Sequence, residues 1–304
     1  MKTRALFFVV IAGVLWGTSG LFVHTLALLG FDSAQMTFAR GLVAFLCMAG
    51  YALICNRSAF RVRLIDLLLY VLIGFSLFGT AYSYYVAMQL TSVSTAVVLM
   101  YTAPVYVMIF SVLFLGERLS TAKSVTVVLM LSGCCLVSGV LSGFAFHLVG
   151  FLFGLLSGIC YASYNIITKL SLRRGGNPIS ATVYGFLSMT VLAAFFGDPI
   201  DLTQTLFHVP FYAILLLVGL GVATSVIPYL VYTMALREIP AGTASALSIV
   251  EPMAAAVFSF VFLGEKPGVV SVAGIVLILL SVFLLGLAEG KNSKKYLRRK
   301  RHDS

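Results

Sequence analysis

Long apolar runs separated by short polar segments dominate the chain. The runs lie at about 5–29, 34–55, 65–89, 94–115, 124–141, 148–170, 179–197, 210–236, 241–263 and 269–288. One bilayer crossing takes about 20 apolar residues, and lipid tolerates only backbone whose hydrogen bonds are satisfied within the protein. The pattern therefore predicts an all-α integral membrane protein with ten transmembrane helices, spans one to ten.

The composition agrees with this prediction, because 61% of the residues are hydrophobic and only 10% are charged. Soluble domains carry about 25% charged residues. Lys2 and Arg4 open the first run in the manner of a signal peptide, but the run continues to Leu29 without a cleavage signal. We expect an uncleaved first span, a first half at 5–141, a second half at 148–288 and a basic tail at 289–304.

The 20 lysines and arginines are distributed unevenly between the spans. If the N-terminus is cytoplasmic, eighteen fall in cytoplasmic segments, Lys266 falls in an outer loop and Arg40 lies within span two. This positive-inside bias predicts a multi-pass protein of the cell inner (cytoplasmic) membrane with both termini cytoplasmic. The basic tail and the net charge of +10 then fit contact with anionic membrane lipids, and no nucleic acid partner is expected.

The two halves form an internal repeat of five spans each. Shifts of 148 and 145 residues align Pro104 with Pro252, Leu115-Gly116-Glu117 with Leu263-Gly264-Glu265, Gly13 with Gly158, and Trp16 with Tyr161. Because five is an odd number, the second half is expected to be inverted relative to the first. Inverted repeats that meet at a midplane site are a common basis for alternating access in secondary transporters.

Three motifs occur in a specific order: Leu15-Trp16-Gly17, the Pro104 span that ends in Leu-Gly-Glu, and its copy from Glu251-Pro252 to the second Leu-Gly-Glu. With them, residues 5–288 resemble the EamA group of the drug/metabolite transporter superfamily. The resemblance implies a central cavity lined by spans one to four and six to nine. It also implies peripheral fifth and tenth spans linked to homodimer formation. Tyr161 in place of a second tryptophan, and Gly185 opposite Arg40, depart from a symmetrical site.

Pro104 and Pro252 lie about ten and eleven residues into their spans, which places both ~15 Å deep, near the midplane. Each proline lacks an N–H and frees the carbonyl four residues earlier, that of Met100 or Ser248. Matching helix breaks in two halves indicate a transporter substrate site. The alternative is a pair of kinks that only shapes packing.

Two charged residues lie inside spans. Glu251 is near the midplane, where a charge costs a few kcal/mol unless it is paired or neutralised. It is a candidate ligand for a substrate ammonium or a candidate proton site; alternatively, it is protonated and bonded to kinked backbone. Arg40 lies ~9 Å from the outer end of span two. Its guanidinium suits a carboxylate or phosphate, and the alternatives are snorkelling to headgroups or a structural pair. A small zwitterion could contact both charges, and an empty, closed state could pair them directly.

Other polar and aromatic positions complete the candidate site. Span three carries Phe75, Phe78, Tyr82, Tyr85 and Gln89 along one face, which either stacks on a substrate or forms an aromatic belt. Tyr101 has the same two interpretations, and Asn165 either lines an inner gate or makes a plain interhelical hydrogen bond. The predicted substrate-binding residues are Arg40, Tyr82, Tyr85, Tyr101, Pro104, Asn165, Ser248, Glu251 and Pro252.

Other protein classes fit less well. Gly17-Thr18-Ser19-Gly20 matches a serine-nucleophile motif, but no histidine lies mid-span on another helix to serve as its base. The five cysteines show no metal-ligand spacing, and no phosphate-binding Gly-x4-Gly-Lys loop occurs. The sequence predicts a secondary transporter of small organic metabolites, amino-acid-like or related, that is not an enzyme and uses no cofactor or metal. A proton is a candidate coupling ion, and a non-transporting membrane sensor is the alternative.

Overall fold

The computed structural model describes residues 2–91, 93–116, 121–137, 147–196, 199–263, 268–270, 272–281 and 284. Across these residues the regular structure is helical throughout. The expected basic tail at 289–304 lies outside the described residues, as do Glu117, Gly264 and Glu265 of the repeated motifs.

The helices are, in chain order, α1 (Lys2–Trp16), α2 (Ser19–Leu28), α3 (Ser33–Cys55), a 3₁₀ turn (Arg57–Phe60), α4 (Leu64–Leu90), α5 (Val93–Met100), α6 (Ala103–Leu115), α7 (Thr121–Val137), α8 (Leu148–Arg173), α9 (Pro178–Phe196), α10 (Pro199–His208), α11 (Phe211–Gly221), a π-helical turn (Val222–Val226), α12 (Ile227–Glu238), α13 (Ala241–Leu247), α14 (Val250–Leu263) and α15 (Val272–Ser281). Every predicted span is therefore occupied by at least one helix.

Among the described residues, 7 helical stretches are long and apolar enough to cross a membrane. They coincide with predicted spans one to four and six to eight. Two shorter apolar helices, Ser124–Leu136 and Val272–Ser281, fall in spans five and ten. The prediction of an all-helical, multi-pass membrane protein is thus confirmed, whereas the number of ten crossings stays a prediction.

The surface and the interior have the polarity expected for lipid as solvent. Large apolar side chains such as Phe195, Phe207 and Val269 are more than 80% exposed. Serines, threonines and tyrosines are abundant among the buried residues, and Arg40 and Glu251 are only 7% and 6% exposed. Intramembrane charges normally face the interior of a helix bundle in this way.

Helices of the two halves pack against each other reciprocally. α8 of the second half packs on α4, α5 and α6, while α1 of the first half packs on α12, α13 and α14. Under the repeat shifts these are equivalent sets of helices. α3 and α4 also pack on α9, and a Cβ added at Gly74 would lie 2.6 Å from the carbonyl oxygen of Gly185. The absence of a side chain at Gly74 therefore lets α4 and α9 meet backbone to backbone.

Several spans are interrupted near their middle. α5 gives way to α6 at Tyr101 and Thr102, and α13 gives way to α14 at Ser248 and Ile249. Each following helix has a proline in its first turn, where the missing N–H costs no intrahelical bond. A further break separates α1 from α2, and the π-helical turn separates α11 from α12.

Candidate functional site

A cavity of about 420 Å³ lies between the two halves, bordered by spans one to four, six, eight and nine. Its walls are largely aromatic, and both intramembrane charges border it. The aromatic residues of the wall are Trp16, Tyr84, Tyr101, Tyr161 and Tyr229, and the charged residues are Arg40 and Glu251. Its mixture of apolar walls with few polar groups is typical of small-molecule sites.

Arg40, on α3, is held by three hydrogen bonds inside the protein. Its Nε donates to Ser225 Oγ at 2.6 Å, its Nη1 to Tyr85 Oη at 2.8 Å and its Nη2 to the Thr224 carbonyl at 3.0 Å. The guanidinium is thus directed into the bundle, not towards headgroups. Since a guanidinium has five N–H groups, two are left beyond these bonds for an anion in the cavity.

A local departure from α-helical structure lets the buried Thr224 carbonyl accept hydrogen bonds from side chains. Pro228 stands four residues later and has no N–H to donate to this carbonyl, and the backbone at Val222–Val226 widens into a π-helical turn. Besides Arg40, the indole N–H of Trp16 donates to the same carbonyl at 3.1 Å. Pro228 therefore creates the acceptor that joins α1 and α3 to the eighth span.

Glu251, at the start of α14, is bonded to a neutral partner. The Tyr101 hydroxyl lies 2.6 Å from Glu251 Oε2 and 3.1 Å from the Ser248 carbonyl, so a single hydroxyl bridges the two oxygens. The Ser248 carbonyl is the one that Pro252 was expected to free. Within the described residues the ion pair recorded is Arg63–Asp66, so the direct Arg40–Glu251 pair considered above does not form in this conformation.

Both proline breaks are packed by a glycine from the opposite half. A Cβ added at Gly13 would lie 3.3 Å from the Ser248 carbonyl oxygen, and one added at Gly158 would lie 3.1 Å from that of Met100. Gly13 and Gly158 are equivalent under the repeat shift, as are Met100 and Ser248. The repeat therefore specifies this contact twice, once in each half.

The remaining predicted residues fall into separate groups. Tyr85 bonds to Arg40, and Ser248 Oγ lies 3.3 Å from the Tyr161 hydroxyl at the cavity wall. Tyr82 does not line the cavity, because its ring packs with Phe78, Phe153 and Phe196.

Asn165 also lies outside the cavity lining. Its amide donates to the Tyr161 carbonyl at 2.8 Å, and its Oδ1 accepts from the Tyr232 hydroxyl at 2.5 Å. Asn165 thus links α8 to α12 by the interhelical hydrogen bond that was one of its two interpretations.

Several cavity residues were absent from the predicted set. Trp16 and Tyr161 could have been found from the repeat, which aligns two aromatic residues on spans one and six. Pro228, like Pro104 and Pro252, is a mid-span proline that leaves the carbonyl four residues earlier without its helical N–H donor. If every mid-span proline had been considered in this way, the Thr224 carbonyl would have been identified. Tyr229 carried no comparable signal, since its repeat equivalent is Ala81.

Known proteins resemble this chain along most of its length. An uncharacterized transporter of Archaeoglobus fulgidus is 29% identical over 279 residues, covering 91% of this chain and 94% of the relative. The uncharacterized transporter YxxF of Bacillus subtilis is 25% identical over 291 residues, covering 91% and 88%. A solved crystal structure at 18% identity superposes with a TM-score of 0.79 over 95% of this chain and 98% of its own, which supports the fold.

The model of one protein family matches the chain twice. The matched residues are 3–139 and 148–287, so the match covers nearly the whole chain and repeats once in each half. Together with the apolar helices, this identifies a multi-pass membrane transporter. The chain belongs to the EamA-like transporter family.

Proposed function

We propose that this protein is a secondary transporter that carries small zwitterionic metabolites, amino-acid-like or related, across the cytoplasmic membrane by alternating access. In this proposal ten spans form two inverted halves, and both termini are cytoplasmic. The basic residues in alternate loops support the orientation.

The observation that carries the proposal is the presence of one buried guanidinium and one buried carboxyl group on the wall of the same cavity. Arg40 and Glu251 are each bonded to neutral groups and not to each other. A charge held without a counter-ion in a low-dielectric interior is costly, so each favours a ligand group of opposite charge. A substrate that carries a carboxylate and an ammonium would satisfy both.

The neutral partners have a role in this proposal. Tyr85, Ser225 and Thr224 fix the orientation of the Arg40 guanidinium, and Tyr101 fixes that of the Glu251 carboxyl. A substrate then meets groups that are already positioned, which reduces the entropy lost on binding. The rings of Trp16, Tyr84 and Tyr161 supply apolar contact for the organic part of the substrate.

Reciprocal packing supports the alternating-access part of the proposal. Spans one and six each pack on the interrupted span of the opposite half, through Gly13 and Gly158. If the two contacts exchange their geometries, the cavity would open towards one membrane face and then the other.

A panel of matched ligands tests the proposed substrate class. Each set contains an amino acid, the amine that lacks its carboxylate and the acid that lacks its ammonium. We expect the zwitterion to raise the thermal unfolding midpoint of the purified protein and to exchange across proteoliposomes, whereas each singly charged analogue binds about 10-fold or more weakly, because one charged contact is worth at least ~1.4 kcal/mol. Equal effects of a zwitterion and its amine, across all sets, would refute the zwitterionic class.

A further inference from the structure

A second, smaller cavity of about 190 Å³ adjoins the central one. Tyr164 and Thr168 of α8 line it, together with Thr182 of α9 and Thr233 of α12. On α8 these residues follow Tyr161, which borders the central cavity, and they lead towards the basic end at Arg173. By the positive-inside rule this is the cytoplasmic end, so the smaller space is an inner cavity on the cytoplasmic side.

Tyr229 separates the two cavities, since it lines both. Its ring centroid lies 5.1 Å from that of Trp16, 5.3 Å from that of Tyr164 and 5.5 Å from that of Phe186, all in edge-to-face arrangements. The Arg40 guanidinium carbon lies 5.8 Å from the same ring centroid. The ring is therefore a packed partition whose position depends on the substrate-facing arginine.

The wall of the inner cavity carries hydroxyl groups among apolar side chains. The hydroxyls of Tyr164 and Thr233 bond to each other at 3.0 Å. The Thr168 hydroxyl is buried and makes no hydrogen bond of ordinary length and angle. An unbonded buried hydroxyl is unfavourable in a resting core, and it is accounted for if a water or a polar ligand group binds there.

A lysine follows the inner cavity on its cytoplasmic side. Lys169, next to Thr168, is buried, and its ammonium donates to the carbonyls of Leu236 at 2.5 Å and Ile239 at 2.7 Å. These carbonyls are at the C-terminal end of α12, where a helix favours a cation. Lys169 thus ties α8 to α12 about one helical turn beyond Thr233.

We propose that the cytoplasmic leg of the substrate path runs through the inner cavity, with Tyr229 as the gate on the central side and the Lys169–α12 contact as the gate on the cytoplasmic side. The inner cavity would bind the polar groups of the passing metabolite through its hydroxyls. This inference rests on the proposed transport function and adds the route.

Two threonines provide matched reporters for access. Thr80 lines the central cavity and Thr182 the inner one, and each hydroxyl bonds to the carbonyl four residues earlier in its own helix. Each is replaced by cysteine in a background without the 5 native cysteines. Labelling by a charged, membrane-impermeant methanethiosulfonate is followed in right-side-out and inside-out vesicles.

From the outer face, we expect Thr80→Cys to react at least ~10-fold faster than Thr182→Cys while Tyr229 is intact, because thiol reactivity depends on access. Tyr229→Ala should bring the two rates together, and Tyr229→Phe should not, since the ring is retained. From the cytoplasmic face, Lys169→Met should accelerate labelling of Thr182→Cys, and labelling of Thr80→Cys should additionally require Tyr229→Ala.

Two results would overturn the proposed gates. One is equal outer-face labelling of both cysteines with Tyr229 intact; the other is an unreactive Thr182→Cys from both faces in the Tyr229→Ala, Lys169→Met double variant. If neither cysteine is labelled from the outer face, the labelling rates from the cytoplasmic face alone decide whether the two gates exist. Elution of each variant as a single species excludes misfolding. Because labelling needs no substrate, its outcome is independent of the ligand panel that tests the proposed function.

Discussion

The two halves interrupt equivalent helices in the same way but place different side chains beside the interruption. Pro104 lies in the first turn of α6 in the first half, and Pro252 lies in the first turn of α14 in the second. The residue before the proline is Ala103 in the first half and Glu251 in the second. Both halves have the backbone break, but only the second half has a carboxyl group beside it.

Arg40 shows the opposite distribution. The repeat shift aligns it with Gly185, so the cation belongs to the first half alone. Each half therefore contributes one charge at a position where the other has a small residue. A strictly symmetrical site would place like charges together, which a low-dielectric interior disfavours, and it could not orient a substrate with two different ends. In the proposed mechanism, the repeated backbone breaks form the moving scaffold, and the two charges that are not repeated recognise the substrate.

The largest effect is expected from Arg40→Lys. A lysine ammonium cannot reproduce the divergent bonds to Ser225, Tyr85 and the Thr224 carbonyl, nor the two-pronged contact with a carboxylate. Losing two charged hydrogen bonds worth about 1.5 kcal/mol or more each predicts a fall in transport of about 100-fold or more. The measurement is substrate exchange in proteoliposomes.

Arg237→Lys is the matched control, since Arg237 is exposed in the last turn of α12. It should exchange substrate at the normal rate. Full activity of Arg40→Lys, with a normal elution profile, would assign Arg40 to packing. The first half would then contribute no substrate-binding cation, which would contradict the proposed difference between the halves.

Glu251→Gln is expected to lower the transport rate less than Arg40→Lys does and to change its dependence on pH. The amide oxygen can still accept the hydrogen bond from Tyr101, so the geometry at the break is kept, but the side chain can no longer exchange a proton. If Glu251 couples transport to a proton, the rate should fall about 10-fold, the loss of one charged contact, and its dependence on pH should disappear.

Glu238→Gln, at the exposed end of α12, serves as control and should leave the pH profile of substrate exchange unchanged. An unaltered profile and turnover in Glu251→Gln would mean that the carboxyl only supports the helix break. Exchange would then need another coupling group.

The fold could be predicted because lipid imposes simple requirements on sequence. Runs of about 20 apolar residues and the basic charge of alternate loops follow directly from the hydrocarbon thickness and the positive-inside rule. Span five is the shortest of the predicted apolar runs, at 124–141, and α7 (Thr121–Val137) occupies its described part. The breaks followed from Pro104 and Pro252, since a proline constrains its own backbone wherever it stands.

Of the residues predicted for the site, Arg40, Tyr101 and Glu251 border the cavity. Arg40 and Glu251 stood out because charges are rare in lipid, and both border the cavity. Tyrosines carry no such signal, because they occur equally in a packed core, in an aromatic belt and in a cavity wall. Tyr82 and Tyr85 are three residues apart on α4, yet one packs with Phe78 and the other bonds to Arg40. Which face of a helix meets the cavity depends on packing that one sequence does not reveal.

The smallest expected effect concerns the two equivalent glycines, Gly13 and Gly158. A Cβ at Gly158 would lie 3.0 Å from Thr102 Oγ1 and within 3.3 Å of two backbone carbonyl oxygens. A Cβ at Gly13 would lie 3.3 Å from the Ser248 carbonyl oxygen, with its other nearest neighbours at 3.4 and 3.5 Å. The first-half break is therefore packed more tightly than its counterpart.

Alanine at either position gains up to ~1 kcal/mol of helix propensity, and overpacking costs ~1–3 kcal/mol where the neighbours cannot move. Gly158→Ala should then destabilise the protein by about 1 kcal/mol, and Gly13→Ala should be close to neutral. Thermal unfolding in detergent should separate the two by about 2–4 °C. Equal midpoints would show that the two breaks are packed alike, so that the halves differ only in the side chains that face the substrate. A larger loss for Gly158→Ala than for Gly13→Ala would show that the asymmetry extends to the backbone contacts that the proposed exchange of the two halves would use.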